Sequence, residues 1–263
     1  MEEAIYTHLQ LRELFHIEFL RSLGRKLKTD NYAVKGGVNL RLFFKSVRYS
    51  EDIDLDVAGI IEVGELKELV MKILQARSFR EGFYAFGIRD IIPSNMRVAK
   101  QTRTTQRFKV HLITAAGVDL FTKIEFSRRG FNGKVIAESV PAAILRDYRL
   151  SPLITPHYDA GSAVMQKIDA LALRSAIQAR DIFDLYVLSS QIGLALSKGF
   201  KPPNAAILAK AHERIFEVGF EMFRDTVASY LADEDKDMYD NASSWEEIKL
   251  KVVDFIEELS KVK

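Results

Sequence analysis

The sequence predicts an α+β protein, with strands and helices mingled in its first half and a mainly helical second half. Three observations carry that reading. Period-two alternation of apolar and polar residues, the mark of half-buried strands, recurs up to about Leu150. Beyond the connector Ser151–Pro156 the apolar spacing turns helical and strand signals largely disappear. Within the first half, a Gly36-Gly37 turn leads into a strand on which Asp52, Asp54 and Asp56 alternate with Ile53, Leu55 and Val57. Successive side chains of a strand point to opposite faces, so the three carboxylates share one face, about 6–7 Å apart at their Cα atoms. A structural protein has little reason to align three mutually repelling carboxylates, and one hard divalent cation would account for them.

Taken in order, Glu3–Leu27 carries a broad apolar stripe (Ile5, Leu9, Phe15, Phe19, Leu23) and predicts a helix. Thr29-Asp30-Asn31 is a turn before a strand at Tyr32–Val34. The two glycines supply a tight turn and permit close backbone approach to a ligand. A short helix over Asn39–Lys45 follows them directly, so its unpaired N–H groups and positive dipole end suit an anion. A helix is predicted at Val63–Arg77, then strands at Phe83–Ile91, Met96–Arg103, Gln106–Thr114 and Val118–Ser127. The last of these places Lys123 and Glu125 on the face opposite Leu120, Ile124 and Phe126. Helical patterns then cover Ser162–Ile177, Arg180–Ile192, Pro203–Phe216, Phe220–Leu231 and Ser244–Val262, the last capped by Ser243 or Ser244. Asp233–Met238 mimics a calcium loop without its glycine or closing Glu, and reads as a solvated turn. Trp245 and the many Phe residues read as core.

At 263 residues the chain can bury a core, and 48% apolar with 28% charged residues is ordinary globular composition. The absence of cysteine excludes disulfides, thiolate zinc sites and a cysteine nucleophile. The five histidines stand singly, which speaks against a histidine metal site. The acidic Met1-Glu2-Glu3 start is unlike a signal peptide, and no apolar run reaches a membrane span, so a cytoplasmic protein with no membrane partner is expected. From Arg97 to Lys134 there are nine Lys or Arg against Asp119 and Glu125. That excess offers a surface for a polyanion such as RNA.

The ordered segments Lys35-Gly36-Gly37, Arg48-Tyr49-Ser50-Glu51-Asp52-Ile53-Asp54-Leu55, Lys123-Ile124-Glu125, Lys167-Ile168-Asp169-Ala170-Leu171, Arg174 and Arg180–Tyr186 form one pattern over more than half the chain. The pattern resembles the polymerase-beta-like nucleotidyltransferase superfamily and, more closely, the AbiEii/AbiGii-type toxin family. The resemblance implies a mixed sheet with flanking helices as a nucleotidyltransferase core over residues 1–150. A helical domain over residues 151–263 would complete the active site. It further implies Asp52, Asp54 and Glu125 as metal ligands, and Lys35, Gly36, Gly37, Arg48, Ser50 and Lys123 as the nucleotide-binding set. Lys167 and Asp181 join the catalytic residues. Mg²⁺ (or Mn²⁺) suits an all-oxygen site that shares its shell with substrate phosphates. The implied function is transfer of a nucleotide from an NTP to an acceptor hydroxyl, at a tRNA 3′ end or on another RNA, by the toxin of a toxin–antitoxin pair with a cognate antitoxin.

Two departures from the family pattern stand out. Val38 occupies the position after the second glycine where such families carry Thr or Ser, and Asp169 replaces an uncharged residue. Two other readings stay open at the sequence level: the same chemistry on a small molecule or a protein side chain, or a non-catalytic domain that binds nucleotide or a partner.

Overall fold

The structure is a computed structural model that describes residues 6–94, 101–196 and 200–262. In chain order the elements are α1 (His8–Gly24), β1 (Tyr32–Lys35), α2 (Gly36–Phe43), β2 (Ile53–Val57), α3 (Val63–Gln75), α4 (Arg77–Glu81), β3 (Ile88–Pro93), β4 (Thr105–Thr114), β5 (Asp119–Ser127), β6 (Val135–Ser139), α5 (Ala142–Asp147) and β7 (Ile154–Tyr158). Helices α6 (Ala160–Leu173), α7 (Ala179–Leu196), α8 (Ala205–Ile215), α9 (Phe220–Thr226), α10 (Asp233–Tyr239) and α11 (Ala242–Lys261) follow. The chain divides into two compact units, Met1–Asn39 with Tyr49–His157, and Leu40–Arg48 with Tyr158–Lys263. Among the described residues no helix is long and apolar enough to cross a membrane.

The first unit is built on a seven-stranded mixed sheet in the order β3-β4-β5-β2-β1-β7-β6. Strand β2 runs antiparallel to β1 and parallel to β5, so Asp54 lies opposite Lys35 on one side and Glu125 on the other. Alternation decides which face each residue takes. Leu120, Thr122, Ile124 and Phe126 of β5 are buried, while Lys123 and Glu125 are half-buried on the other face. Helix α1 covers the apolar face through Leu14, Phe15 and Phe19, all fully buried. It starts with a capping box in which Thr7 accepts from the Gln10 amide and Gln10 returns the bond.

One polar chain crosses this packing. Arg12 Nε donates to the Phe121 carbonyl at 2.9 Å, and the Thr122 hydroxyl donates to the Glu51 carbonyl at 2.7 Å. With its proton so used, Thr122 Oγ1 accepts from His16 Nε2 at 2.9 Å. Burial, with the Arg12 guanidinium adding to it, pushes His16 down to about 3. An unfolded histidine titrates near 6.5, so the unfolded chain binds the extra proton between those values. Stability is fully present above pH 6.5 and declines as pH falls toward 3. We expect this residue alone to cost about 2 kcal/mol between pH 8 and pH 5, at roughly 1.4 kcal/mol per unit. Urea denaturation at the two pH values measures it, and His16→Gln flattens the difference.

The second unit gathers Trp245, Phe183, Phe223, Leu185 and Ile248 into its core. Trp245 stacks on Phe223 at 4.5 Å between ring centroids and donates from Nε1 to the Val218 carbonyl at 3.1 Å. Arg214 Nη1 donates to the carbonyls of Leu171, Ala172 and Arg174, closing the C-terminal end of α6, where a cation also meets the negative dipole end.

Several sequence-based expectations are corrected. The connector contains a strand, β7, which pairs with β1 in parallel through Val34 and His157; Pro152 and Pro156 disguise it. Strand β6 carries no buried residue and so shows no alternation. Helix α1 stops at Gly24, and β3 begins only at Ile88 after a 3-10 turn over Tyr84–Phe86. The Asp233 segment is a helix rather than a turn, with Asp233, Glu234 and Asp235 favoured by its N-terminal dipole. Asn241, not a serine, caps α11, accepting from the Ser244 amide. The strand expected at Met96–Arg103 falls largely on 96–100, outside the described residues.

Candidate active site

Helix α2 begins at the glycines rather than after them, and Gly36 takes a φ of +67°. A Cβ at that position would stand 2.9 Å from Asp54 Oδ2. The turn and the carboxylate are therefore in direct contact, which only glycine allows here. Gly36→Ala is expected to lose activity and about 1–2 kcal/mol of stability, from the left-handed backbone alone. Steady-state assay and thermal melting test this. Val38 is buried, so the position lacking a hydroxyl is a core position in this chain.

Around β2 the carboxylates are matched to cations one by one. Asp52 Oδ2 lies 2.7 Å from Lys123 Nζ, Asp56 Oδ1 2.6 Å from Lys35 Nζ, and Glu125 Oε2 2.7 Å from Arg107. Among the described residues, Asp54 is the carboxylate left over. Its carboxyl is raised above the usual range by burial first and then by Glu125 and Asp52, against the opposing pull of Lys35 and Lys123. Asp52 Oδ1 is buried without a hydrogen-bond partner among the described residues. The Ser50 hydroxyl donates to the Asp52 carbonyl at 2.7 Å and fixes the backbone just before the strand.

These features decide whether a cation fits. Among the described residues no group of three His, Asp or Glu side chains forms a ready cage. The expected trio of Asp52, Asp54 and Glu125 is thus not preassembled, because Lys123 and Arg107 hold its two outer members. Mg²⁺, however, is usually held by one or two carboxylates, with waters and substrate phosphates filling its shell. An orphaned Asp52 oxygen beside Asp54, which forms no ion pair among the described residues, fits that need. Asp56, sealed against Lys35, does not.

Arg107 is the functional neighbour that sequence reasoning missed as a partner for Glu125. Strands β4 and β5 pair in a register that sets Arg107 opposite Glu125 and Lys109 opposite Lys123. That register follows from the hairpin turn, where Gly117 takes a φ of +79°. Arg128, expected on a basic face, instead bonds the Ile61 carbonyl and Gln106. Arg103, Lys109, Arg129 and Lys134 are exposed.

Within the second unit, Arg48, Lys167, Asp181 and Asp184 form one buried ionic cluster. Asp181 and Asp184 share a face of α7, three residues apart. Lys167 Nζ reaches Asp184 at 2.6 Å and Asp181 at 3.1 Å, while Arg174 binds Asp181 at 2.7 Å. Arg48 grips Asp184 through Nε and Nη2, at 3.3 and 3.0 Å to the same oxygen. Burial would push Lys167 down, but Asp184 and Asp181 outweigh it and hold the ammonium above its ordinary value. Burial opposes Asp184 in the same way, and Arg48 with Lys167 outweigh it to hold this carboxyl below the usual range. Three cations face two anions. The guanidinium of Arg48, expected to bind nucleotide, is here engaged by Asp184. Asp169 lies outside the cluster, with burial raising its carboxyl, and we have no physical account of its charge.

Comparison with known proteins adds the chemistry. The family described as nucleotidyl transferase AbiEii toxin, type IV toxin–antitoxin system, matches residues 18–258. Among solved structures, JHP933 from Helicobacter pylori is similar at 16% identity and a TM-score of 0.57, covering 98% of this chain and 94% of that one. MenT4, a nucleotidyltransferase toxin of Mycobacterium tuberculosis H37Rv, is similar at 16% identity and 0.55, covering 97% and 85%. At such identities the likeness is one of fold. Comparison with curated proteins gives no match.

Proposed function

Since this chain belongs to the AbiEii nucleotidyltransferase toxin family, we propose that it moves a nucleotide from an NTP to a hydroxyl of RNA, a tRNA 3′ end included. The supporting observation is the unmatched Asp54 carboxylate, packed on the Gly36 turn and in register with Glu125. Asp52 and Asp54 would hold Mg²⁺, or Mn²⁺ in its place. When bound, the ion neutralises triphosphate charge and makes the acceptor hydroxyl a better nucleophile.

The remaining work belongs to this chain's own side chains. Gly36 and Gly37 open the N-terminus of α2 to phosphate oxygens. Lys123 and Lys35, each held by a carboxylate, place positive charge beside the acids. Arg107 orients Glu125. In the second unit, Lys167 carries the excess positive charge of its cluster and suits phosphate, and Asp181 keeps it in place. The acceptor oxygen attacks the α-phosphorus in line, a phosphodiester forms, and pyrophosphate and a proton leave. The exposed Arg103, Lys109 and Arg129 favour a phosphate-rich acceptor over a small molecule. A cytoplasmic setting and a cognate antitoxin complete the reading.

The test incubates purified protein with Mg²⁺, each α-labelled NTP in turn, and total RNA. Label entering RNA supports the proposal. Label entering only a small molecule or a protein would move the acceptor. Normal nucleotide binding without transfer to any acceptor would overturn it.

A further inference from the structure

We propose that the first unit binds a single-chain aliphatic anion in a cavity on the helix-covered face of its sheet. The cavity, about 720 Å³, lies among α1, α3, α4 and the 3-10 turn that follows. That volume falls in the range of small-molecule sites, roughly 300–1,000 Å³, whose walls are mostly apolar with a few polar groups at the mouth. Its lining has that division. Leu69, Ile73, Phe79 and Phe83 form the apolar wall, and Arg25, Lys26 and Lys72 supply the charge.

The charge balance selects the head group. Arg25 and Lys26 are exposed and form no ion pair among the described residues. Among the described residues Lys72 reaches only Glu68, at 3.8 Å, and both side chains are largely exposed. The acid in the lining, Glu18, is already neutralised by Arg21 at 2.8 Å. A net positive rim over an apolar wall matches a carboxylate or phosphate on a hydrocarbon chain. A nucleotide base is a poorer occupant, since apart from Ser22 and Ser78 the wall offers few groups to pair its edge.

The position separates this site from the carboxylates. Helix α1 touches Thr122 on the covered face of β5, whereas Lys123 and Glu125 point to the other. The ligand would therefore leave the nucleotide site open. It would bear on α1, whose His16 holds Thr122 and through it the Glu51 carbonyl beside Asp52.

Isothermal titration of the full chain with decanoate, decyl phosphate and 1-decanol, each below its micelle concentration, tests the assignment. One-to-one binding of either anion, with decanol at least about tenfold weaker, is expected. Decanoate outranking decyl phosphate identifies a fatty-acid head, and the reverse a phosphate head. The double variant Arg25→Glu, Lys26→Glu should weaken anion binding about tenfold or more and leave decanol unchanged. Leu69→Trp, placed to fill the cavity, should abolish binding of all three while retaining the wild-type circular-dichroism melt. The proposal fails if no ligand saturates below about 1 mM, if decanol binds as tightly as the anions, or if binding survives a folded Leu69→Trp protein.

Discussion

Asp54→Asn is expected to lower nucleotidyl transfer about a hundred- to a thousandfold while raising the melting temperature. The two effects have one cause. A carboxylate whose ionised form is disfavoured by burial, and by Glu125 and Asp52 beside it, weakens the folded state when charged. The amide keeps the shape and removes the charge. The sign in pH follows: Asp54 titrates higher in the folded chain, so the protein loses stability as pH rises from the ordinary carboxylate value through the raised one. Asn removes that loss. The activity loss is of the size seen when one preorganised electrostatic group is deleted from an active site. Transfer assays and calorimetric melting measure both halves. A variant that melts lower than the parent would mean Asp54 is satisfied by contacts that stabilise its charge.

Asp184→Asn should be the most destabilising single change in the second unit, at about 3–5 kcal/mol, because it removes the charge that two buried cations share. Arg48 and Lys167 both rely on this carboxylate, which is fully buried. Arg174→Met makes the contrast. Arg174 is about one-third exposed and pairs with the other acid, so its loss should cost about 1 kcal/mol or less. Guanidinium denaturation of both variants decides it. Equal losses would show that solvent reaches the cluster and that burial does not set its energetics.

The acids and the glycines were legible in the sequence because each announces itself locally. Alternation in Ile53–Val57 marks a strand whatever it pairs with, and two adjacent glycines mark a tight turn. The family resemblance then joined segments far apart in the chain. The counter-ions were not legible, since they depend on register. That Lys123 belongs to Asp52 and Arg107 to Glu125 follows from how β2, β4 and β5 are aligned. Strand β7 was hidden for a related reason: its two neighbouring prolines and single register pair with β1 give no local pattern. His16 looked like one more isolated histidine, and only the packing of α1 on β5 reveals its bond to Thr122.

The one-to-one matching of acids and cations around β2 has a consequence for how ligands arrive. On the proposed function, a divalent ion arriving alone meets Asp52 through Oδ1 while the Lys123 ammonium still sits on Oδ2, and that nearby positive charge keeps its affinity low. A triphosphate faces the mirror-image problem, competing with Asp52 for the same ammonium. Each ligand releases the group the other needs. Linkage then requires the two to strengthen each other's binding by the same factor, and the protein at rest carries its own substitutes for both.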